Sequence, residues 1–272
     1  MAHLDAPVGS IDLALHSYFS MLGPDPVMRF VAGAQAAALA PLIEASEARG
    51  LPLLSVAAPG RFGGRSGPAN FTEIEAGPLT RRHLSDILPF PNQLTALIVT
   101  GRTITEWLGA SARAFRLIGP GSRGQALINP DFPGHDFDVL FGLTYRFDLT
   151  RQKAIDIRWN GRRLDPEEQF AVAVNSFRAR GGGHHGVLDA AREIRLPPIS
   201  LHRVLAAWIA GTLPPDPLAD QPYPWSFERI GGTTVTARTG KGATRYLADL
   251  PNLNAVSSGA KADGFVQVEL KL

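Results

Sequence analysis

Two short segments about 85 residues apart each place a phenylalanine in a turn-prone stretch beside a predicted strand. The first, at 88–92, sets Phe90 between two prolines, and the second, at 175–183, sets Phe177 shortly before three glycines. Side chains on such loops often carry binding sites. Two aromatic faces can hold a flat ring between them, because stacking contributes about 1 to 3 kcal/mol per base and tolerates any base. The competing interpretation is that both residues are core, as most phenylalanines are, and the spacing alone favours it.

The composition is that of a folded globular protein with one large domain or two small ones. The chain has 272 residues, 44% hydrophobic and 19% charged, and its 28 glycines and 22 prolines indicate many turns. A formal charge of +2 with dispersed arginines lacks the clustered basic stripe of a polynucleotide-binding surface. Cysteine is absent, which excludes disulfides and thiolate metal sites. We see no export signal and no run of 18 apolar residues, so a soluble chain without a membrane partner is expected.

The pattern of apolar residues predicts an α/β (α+β) fold in which helices flank a mixed β-sheet. Helices are predicted over residues 11–22, 27–48, 103–115 and 201–209, the third beginning at a capping box of Thr103 and Glu106. Strands are predicted over residues 53–58, 95–100, 139–149, 155–159, 170–174, 233–237 and 265–270. Asn160 and Gly161 form a predicted hairpin turn.

A change of composition after residue 213 divides the chain. Five prolines between 214 and 224 indicate a rigid connector, and strand-like segments follow. We therefore expect a main domain at 1–213 and, at 214–272, a connector with C-terminal strands that dock on the same domain. The last strand is expected to join the main sheet.

Two clusters of histidines and carboxylates resemble metal sites only superficially. His184 and His185, with Asp189, do not place two imidazoles one helical turn apart, so a polar loop is the better interpretation. Residues 135–138 read His-Asp-Phe-Asp, and strand alternation would put both carboxylates on one face. There they could bind a cation, although hydrogen bonding at a strand end is the favoured interpretation.

A series of short segments in a fixed order extends along nearly the whole chain. They are residues 7–9, 15–19, 34–35, 57–59, 63–65, 88–92, 101, 106–108, 137–139, 143–145, 165–166, 175–182 and 265–270. In order and spacing they resemble the C-terminal, substrate-binding domain of the bacterial periplasmic 2',3'-cyclic-nucleotide 2'-phosphodiesterase/3'-nucleotidases, a branch of the 5'-nucleotidase superfamily. No single segment is decisive, but together they are specific.

The resemblance implies that catalysis belongs to a separate N-terminal metallophosphoesterase domain, in which two metal ions generate hydroxide and clamp the displacement at phosphorus. None of the seven histidines of this chain lies in the Asp-x-His, Gly-Asn-His-Glu or Gly-His-x-His contexts of that domain. We therefore expect no catalytic residue, metal site or cofactor in this chain, divalent metal ions in the catalytic domain, and no turnover by this chain alone. The resemblance also implies a periplasmic protein whose export signal belongs to a longer precursor.

The resemblance assigns four side chains to ligand binding. Phe90 and Phe177 match the aromatic residues that sandwich the nucleobase; this branch commonly has tyrosine there, so stacking is kept and a hydroxyl is lost. Asn92 matches an amide that hydrogen-bonds the base edge, with an Asx turn after Pro91 as an equally weighted alternative. Arg65, after two glycines, resembles an arginine that reaches toward the substrate phosphate or ribose. Its alternative is a solvated surface arginine.

Backbone positions complete the implied site. Gly181 and Gly182 would let the chain pass close to the base or to its clamp, because glycine has no side chain. The 5'-nucleotidase branch has an aspartate after this pair, whereas this chain has Gly183, which puts a polar base contact there in doubt. Arg29 matches a phosphate-contacting arginine of that branch only loosely.

These observations predict the nucleoside- or nucleotide-binding, substrate-specificity domain of a metal-dependent 2',3'-cyclic-nucleotide 2'-phosphodiesterase/3'-nucleotidase. The expected partners are a nucleoside or nucleotide ligand and the N-terminal metallophosphoesterase domain. Two alternatives stay open: a standalone enzyme with His184 or His185 as general base, and a non-catalytic module that binds a partner or peptide.

Overall fold

A five-stranded mixed sheet organises the fold, in a computed structural model that describes residues 4–183 and 186–272. Within those residues the α-helices are α1 Pro26–Glu44, α2 Arg81–Ile87, α3 Gly101–Ala112, α4 Ser176–Ala179 and α5 Leu201–Ile209. The strands in the same part of the chain are β1 Pro7–Ile11, β2 Leu15–His16, β3 Leu53–Ala57, β4 Glu73–Ile74, β5 Gly77–Thr80, β6 Gln93–Thr100, β7 Gln125–Ala126, β8 Val139–Phe141, β9 Thr144–Asp148, β10 Lys153–Trp159, β11 Arg162–Arg163, β12 Gln169–Asn175, β13 Arg192–Ser200, β14 Trp225–Phe227, β15 Thr234–Thr239, β16 Val256–Ala260 and β17 Val266–Lys271. The predicted α/β class, a mixed sheet with flanking helices, is confirmed.

The central sheet has the strand order β13-β6-β12-β3-β8. β12 runs parallel to β3 and antiparallel to β6, while β8 is antiparallel to β3 and β13 is antiparallel to β6. β3, β12 and β13 therefore end, and β6 and β8 begin, at one edge, which we call the site edge. The residues of β6 and β12 are buried along nearly their whole length, as expected for strands covered on both faces.

Helix α1 covers one face of this sheet. Asp25 caps it by accepting a hydrogen bond from Met28 N at 2.9 Å, and burial raises the pKa of Asp25 to about 6. Gln35, inside the helix, donates to the carbonyl oxygen of Val56 in β3 at 2.7 Å. The 19-residue helix α1 is long and apolar enough to cross a membrane, with a mean hydropathy of 1.4 over an 18-residue stretch, but 67% of that stretch is buried inside the protein. The composition of α1 is thus accounted for by its place in the core.

Four smaller sheets accompany the central sheet within residues 4–183 and 186–272. The second sheet has the order β11-β10-β9-β14, the third has the order β16-β17-β15-β7, and β1-β5 and β2-β4 form two-stranded pairs. Phe115 packs between the central sheet and the second sheet: its ring centroid lies 5.5 Å from that of Phe137, just before β8, and 5.2 Å from that of Phe147 in β9. The core is continuous between the layers.

The predicted helix over residues 11–22 is wrong. The segment contains the end of β1 and the short strand β2, which pairs with β4. Ser17 Oγ accepts a hydrogen bond from Thr72 N at 2.9 Å, and His16 Nε2 lies 2.8 Å from Asp249 Oδ2. The helical spacing of apolar residues arose because Leu15, Phe19 and Leu22 are all buried, but their partners are distant in sequence, and these contacts override local helix propensity.

Two further predictions need correction. Helix α3 is capped by Thr100, whose Oγ1 accepts from Thr103 N at 3.3 Å, so the helix begins at Gly101, before the predicted capping box. The predicted strand over 139–149 is interrupted at Gly142, whose φ of +97° only glycine adopts readily, and the chain passes there from the central sheet into the second sheet.

The C-terminal strands do not extend the central sheet, contrary to expectation. β15 and β17 pair with each other, and β15 also pairs with β7, which comes from the middle of the chain. The predicted boundary between 1–213 and 214–272 stays a prediction. The remaining predicted helices and strands are confirmed within a few residues at their ends, and so is the turn at Asn160 and Gly161, both of which have positive φ between β10 and β11.

Replacing Gly101 by alanine is expected to destabilise the fold, because a Cβ there would lie 2.0 Å from the carbonyl oxygen of Asp165. Gly109→Ala, in the same helix, is the matched control, since a Cβ there meets no heavy atom within 4 Å. In urea denaturation we expect the free energy of unfolding to fall by about 1 to 3 kcal/mol for Gly101→Ala. For Gly109→Ala we expect no loss, or a gain of up to about 1 kcal/mol. Equal effects of the two substitutions would contradict the close contact.

Candidate ligand-binding site at one edge of the central sheet

The site edge brings together segments that are far apart in sequence. The register of β6 and β12 pairs Leu94 with Asn175, so the loop before β6 and helix α4 after β12 start from neighbouring positions. Gln93 N donates a hydrogen bond to Ser176 Oγ at 3.0 Å, which joins the two segments directly. Ligands of α/β sheets commonly bind beyond the carboxyl ends of parallel strands, and β3 and β12 end here.

The loop at 88–92 is held by the first turn of α5. His202 Nε2 donates to the carbonyl oxygen of Leu88 at 2.8 Å, and Leu201 N donates to the carbonyl oxygen of Asn92 at 3.0 Å. Between these anchors Phe90 is 60% exposed. The side chain of Asn92 is half-buried and makes no hydrogen bond with the residues that the structure describes, so the Asx turn considered for it is not formed. Phe90 and Asn92 thus lie on a fixed backbone with their side chains available.

Phe177 lies in α4 and is 46% exposed. Asn175 Oδ1 caps this short helix by accepting from Arg178 N at 2.8 Å. The chain then turns at Gly181, with φ +78°, and Gly182 N donates to the carbonyl oxygen of Phe177 at 2.9 Å. A Cβ on Gly182 would lie 2.6 Å from the Phe177 ring. The ring therefore rests on a backbone that must lack a side chain.

Arg178 is the buried centre of this edge. Its side chain is 2% exposed, and its Nε lies 2.8 Å from Asp138 Oδ2 while its Nη1 lies 3.3 Å from Asp136 Oδ1. Nη2 donates to the carbonyl oxygen of His135 at 2.8 Å, and Nη1 donates to that of Gly182. The guanidinium thus links the glycine loop after α4 to the segment before β8.

The predicted alternation of residues 135–138 is wrong. A 3₁₀ turn at Gly134–Asp136 precedes β8, and Asp136, Phe137 and Asp138 are all buried. Asp138 Oδ2 also accepts a hydrogen bond from Trp107 Nε1 at 2.7 Å. The paired carboxylates do bind a cation, but that cation is the Arg178 side chain.

Arg65 lies in the third segment at this edge, the loop at 58–72 between β3 and β4. It belongs to the 3₁₀ turn Gly64–Ser66, is exposed, and makes no hydrogen bond or ion pair within residues 4–183 and 186–272. The first part of the loop contacts the Phe90 segment, because a Cβ on Gly60 would lie 2.8 Å from Pro89 Cδ. Phe62 packs against the turn before β8, since a Cβ on Gly134 would lie 2.2 Å from its ring. Among the described residues Arg65 is therefore a cation without a partner, on a loop that begins beside the Phe90 segment.

Other candidates do not join this group. Arg29 donates to the carbonyl oxygens of Leu218 and Ala219 at 2.7 and 2.8 Å, so its guanidinium is already engaged. The general-base alternative rests on His184 and His185, which lie outside the described residues. In the part of the chain that is described, no group of three His, Asp or Glu side chains is arranged to hold a metal ion.

A cavity of about 830 Å³ lies away from the site edge. It lies between β9, β14 and the C-terminal segment, and Tyr145, Trp225, Glu228 and Asn252 are among its lining residues. Its volume is within the range of small-molecule pockets, but it contains none of the predicted ligand-binding residues. The site edge itself is an open rim that carries the side chains of Phe90, Phe177 and Asn92, and the loop of Arg65 begins there.

Sequence reasoning missed the residues beneath the rim. Arg178 stands inside the motif that carries Phe177, and its two carboxylates stand in the segment 135–138 that had been considered for a cation. A charge within a glycine-rich motif and an acidic pair were visible signals. Their pairing across 40 residues depends on the order of strands in the sheet, which the sequence does not reveal.

Comparisons with known proteins found one matching family, several similar enzymes and similar solved structures. The family model described as "5'-nucleotidase, C-terminal domain" matches residues 8–190. The chain is 35% identical over 222 residues, 75% of its length, to a 2',3'-cyclic-nucleotide 2'-phosphodiesterase/3'-nucleotidase of Salmonella typhimurium, and 29% identical over 99% of its length to one of Haemophilus influenzae. A 5'-nucleotidase precursor from Thermus thermophilus has a similar fold over 84% of the chain, with a TM-score of 0.59 and 17% identity.

The chain spans only part of each of these proteins. It covers 34% of the Salmonella protein and 45% of the Haemophilus protein, and 40% of the Thermus structure. The likeness thus concerns one portion of larger enzymes.

Removing the hydroxyl of Ser176 is expected to loosen the link between the two aromatic segments. In Ser176→Ala the amide of Gln93 loses its acceptor, and a net loss of about 0.5 to 1.5 kcal/mol corresponds to roughly two- to tenfold faster local opening. Hydrogen exchange of the Gln93 amide, followed by NMR, measures this. Ser226→Ala, an exposed serine of β14, is the control and should leave that amide unchanged. Identical exchange in all three proteins would show that the bond does not hold the segments.

Proposed function

This chain belongs to the 5'-nucleotidase C-terminal domain family, and from that premise we propose that it is the nucleotide-binding, substrate-specificity portion of a metal-dependent 2',3'-cyclic-nucleotide 2'-phosphodiesterase/3'-nucleotidase. Its similarity to two 2',3'-cyclic-nucleotide 2'-phosphodiesterase/3'-nucleotidases supports this enzyme class. The observation that carries the proposal is the exposure of two phenylalanines on hydrogen-bonded neighbouring segments.

The exposure of Phe90 and Phe177 is exceptional within this protein. All fourteen phenylalanines lie in the described part of the chain, and the other twelve are buried or half-buried. Leaving a phenylalanine side chain in water forgoes about 1.5 to 3 kcal/mol of burial energy, so two exposed rings at one rim favour a ligand-binding role. Their rigid anchors, α5 for one ring and the Gly182 backbone for the other, lower the entropy lost when a planar base is bound.

The polar residues of the rim supply what stacking lacks. The amide of Asn92 can both donate to and accept from a base edge. Arg65 has no protein partner among the described residues, so its guanidinium is available for phosphate oxygens or the ribose. Gly182 contributes through its backbone, against which the Phe177 ring packs, and Gly181 supplies the positive φ of the turn before it.

In this proposal the hydrolytic centre lies in a metallophosphoesterase domain outside these 272 residues. Two divalent metal ions there would generate hydroxide and stabilise the displacement at phosphorus, first opening the 2',3'-cyclic nucleotide to the 3'-phosphate and then releasing phosphate. The residues of the rim bind and orient the nucleoside, which raises the effective concentration of the reacting phosphate at the metals. The proposed location is the periplasm.

The proposed aromatic clamp, formed by Phe90 and Phe177, is tested by binding measurements on the purified chain. Isothermal titration with adenosine and adenosine 3'-phosphate is expected to show weak, saturable binding. Phe90→Ala or Phe177→Ala should weaken it by about five- to 150-fold, the equivalent of about 1 to 3 kcal/mol of stacking. Leu117→Ala removes a side chain of comparable exposure, 57%, outside the three segments and should not change the affinity.

Three outcomes contradict the proposal in different ways. Binding that is unchanged in both phenylalanine variants removes the clamp. No binding of any nucleoside or nucleotide, together with capture of a peptide that depends on Phe90 and Phe177, favours the partner-binding alternative. Hydrolysis of 3'-nucleotides by this chain, abolished by a chelator, overturns the assignment of catalysis to a separate domain.

Arg65 is expected to distinguish nucleotide from nucleoside. Arg65→Ala should weaken binding of adenosine 3'-phosphate by roughly tenfold or more, since a charge-assisted hydrogen bond contributes about 1.5 to 3 kcal/mol, and should leave adenosine affinity unchanged. Arg116→Ala, another exposed arginine, is the control. Equal losses of affinity for both ligands would show that Arg65 contacts the ribose or supports its loop, and does not contact the phosphate.

A further inference from the structure

We propose that Arg178 is a positioning residue for the aromatic clamp: its buried guanidinium fixes the glycine loop on which the Phe177 ring rests. The inference rests on the proposed nucleotide-binding function and adds to it a residue that touches no ligand. The geometry that carries it is a set of contacts from one side chain to two segments of the site edge.

The first group of contacts holds the guanidinium itself. Asp136 and Asp138 are each 1% exposed, and Arg178 is 2% exposed, so the charges are paired away from water. Asp138 is in turn fixed to α3, because its Oδ2 accepts from Trp107 Nε1 at 2.7 Å and its carbonyl oxygen accepts from Ser111 Oγ at 3.0 Å. The position of the guanidinium is therefore set by the rigid part of the fold.

The second group of contacts transmits that position to the rim. Arg178 Nη1 donates to the carbonyl oxygen of Gly182, and Gly182 N donates to the carbonyl oxygen of Phe177. The Phe177 ring lies so close to Gly182 that a Cβ there would be 2.6 Å from it. A shift of the Gly182 carbonyl thus displaces the surface on which the ring rests.

Stability alone is a poor explanation for such an arrangement. The cost of removing three charges from water offsets most of the free energy gained from their attraction. Replacing a complete buried ion network by neutral side chains therefore often leaves stability unchanged, whereas removing one partner leaves the others buried and unpaired. The planar guanidinium donates hydrogen bonds in fixed directions to the carbonyl oxygens of His135 and Gly182 at once, and neutral side chains do not reproduce this. Arg178 therefore contributes mainly geometry.

This reasoning predicts that stability and ligand affinity separate. In Arg178→Met the carboxylates of Asp136 and Asp138 lose their cation, and both the melting temperature and the adenosine affinity should fall. The triple variant Arg178→Met, Asp136→Asn, Asp138→Asn should recover most of the loss in melting temperature. Its adenosine affinity should stay at least tenfold below that of the unmodified protein. Both are measured on the purified chain, by calorimetry and by titration at a temperature where every variant is folded. Arg146→Met, which removes an arginine paired with Asp156 and Glu228 in the second sheet, is the control and should bind adenosine normally.

A triple variant that regains both stability and affinity would overturn the proposal. Should the triple variant fail to fold, Arg178→Lys keeps the charge but not the two-carbonyl geometry, and its affinity should fall at least tenfold; unchanged affinity would overturn the proposal equally. If the unmodified chain binds no nucleoside, the proposed function fails, and hydrogen exchange then tests Arg178 independently. The amides of Gly181 and Gly182 should exchange at least tenfold faster in Arg178→Lys, and unchanged exchange would show that Arg178 does not position the loop.

Discussion

The antiparallel pairing of β6 with β12 is the constraint on which the candidate site depends. Seven consecutive residue pairs extend from Thr100 and Gln169 to Leu94 and Asn175. Buried side chains along both strands fix the register, because a slip of one residue would exchange the two faces of a strand. The same slip would move one aromatic segment by about 3.3 Å relative to the other. The placement of Phe90 beside the α4 segment is therefore a consequence of core packing.

The rim and the layer beneath it use different chemistry. At the rim the rings are exposed, and beneath it three charges are buried and paired. Burying charges costs free energy that a hydrophobic cluster would not, whereas a hydrophobic cluster does not fix the direction of a loop. A site that must orient an aromatic ring therefore benefits from buried, hydrogen-bonded charges, because they fix the direction of the loop. The helix α5 serves the other ring with backbone and imidazole hydrogen bonds of the same directed kind.

The sequence predicted those parts of the molecule whose signals are local. Helix α5 and the strand cores at β3, β6 and β12 follow from uninterrupted apolar periodicity, and the turn at Asn160 and Gly161 follows from residues that tolerate positive φ. The helix prediction for residues 11–22 failed because this segment has partners distant in the chain: Leu15 and His16 pair with β4, and His16 also contacts Asp249. The prediction of one continuous strand over 139–149 failed because Gly142 redirects the chain from one sheet into another.

The residues of the candidate site also differ in whether local sequence signals reveal them. Phe90, Asn92, Phe177 and Arg65 were found through motifs and a family likeness, which identify residues but not the support beneath them. Arg178, Asp136 and Asp138 acquire their meaning only when β8 and β12 are placed on either side of β3. Strand order is a property of the whole chain, so no window of sequence around Arg178 contains the information.

Gly183 has a consequence for how this family can diversify. Its φ is +83°, and a Cβ there would lie 1.9 Å from Arg178 Nη1 and 2.3 Å from Asp136 Oδ1. On this backbone an acidic side chain at 183 and a guanidinium from 178 exclude each other. A change from one arrangement to the other therefore requires substitutions at both 178 and 183, because neither side chain leaves room for the other.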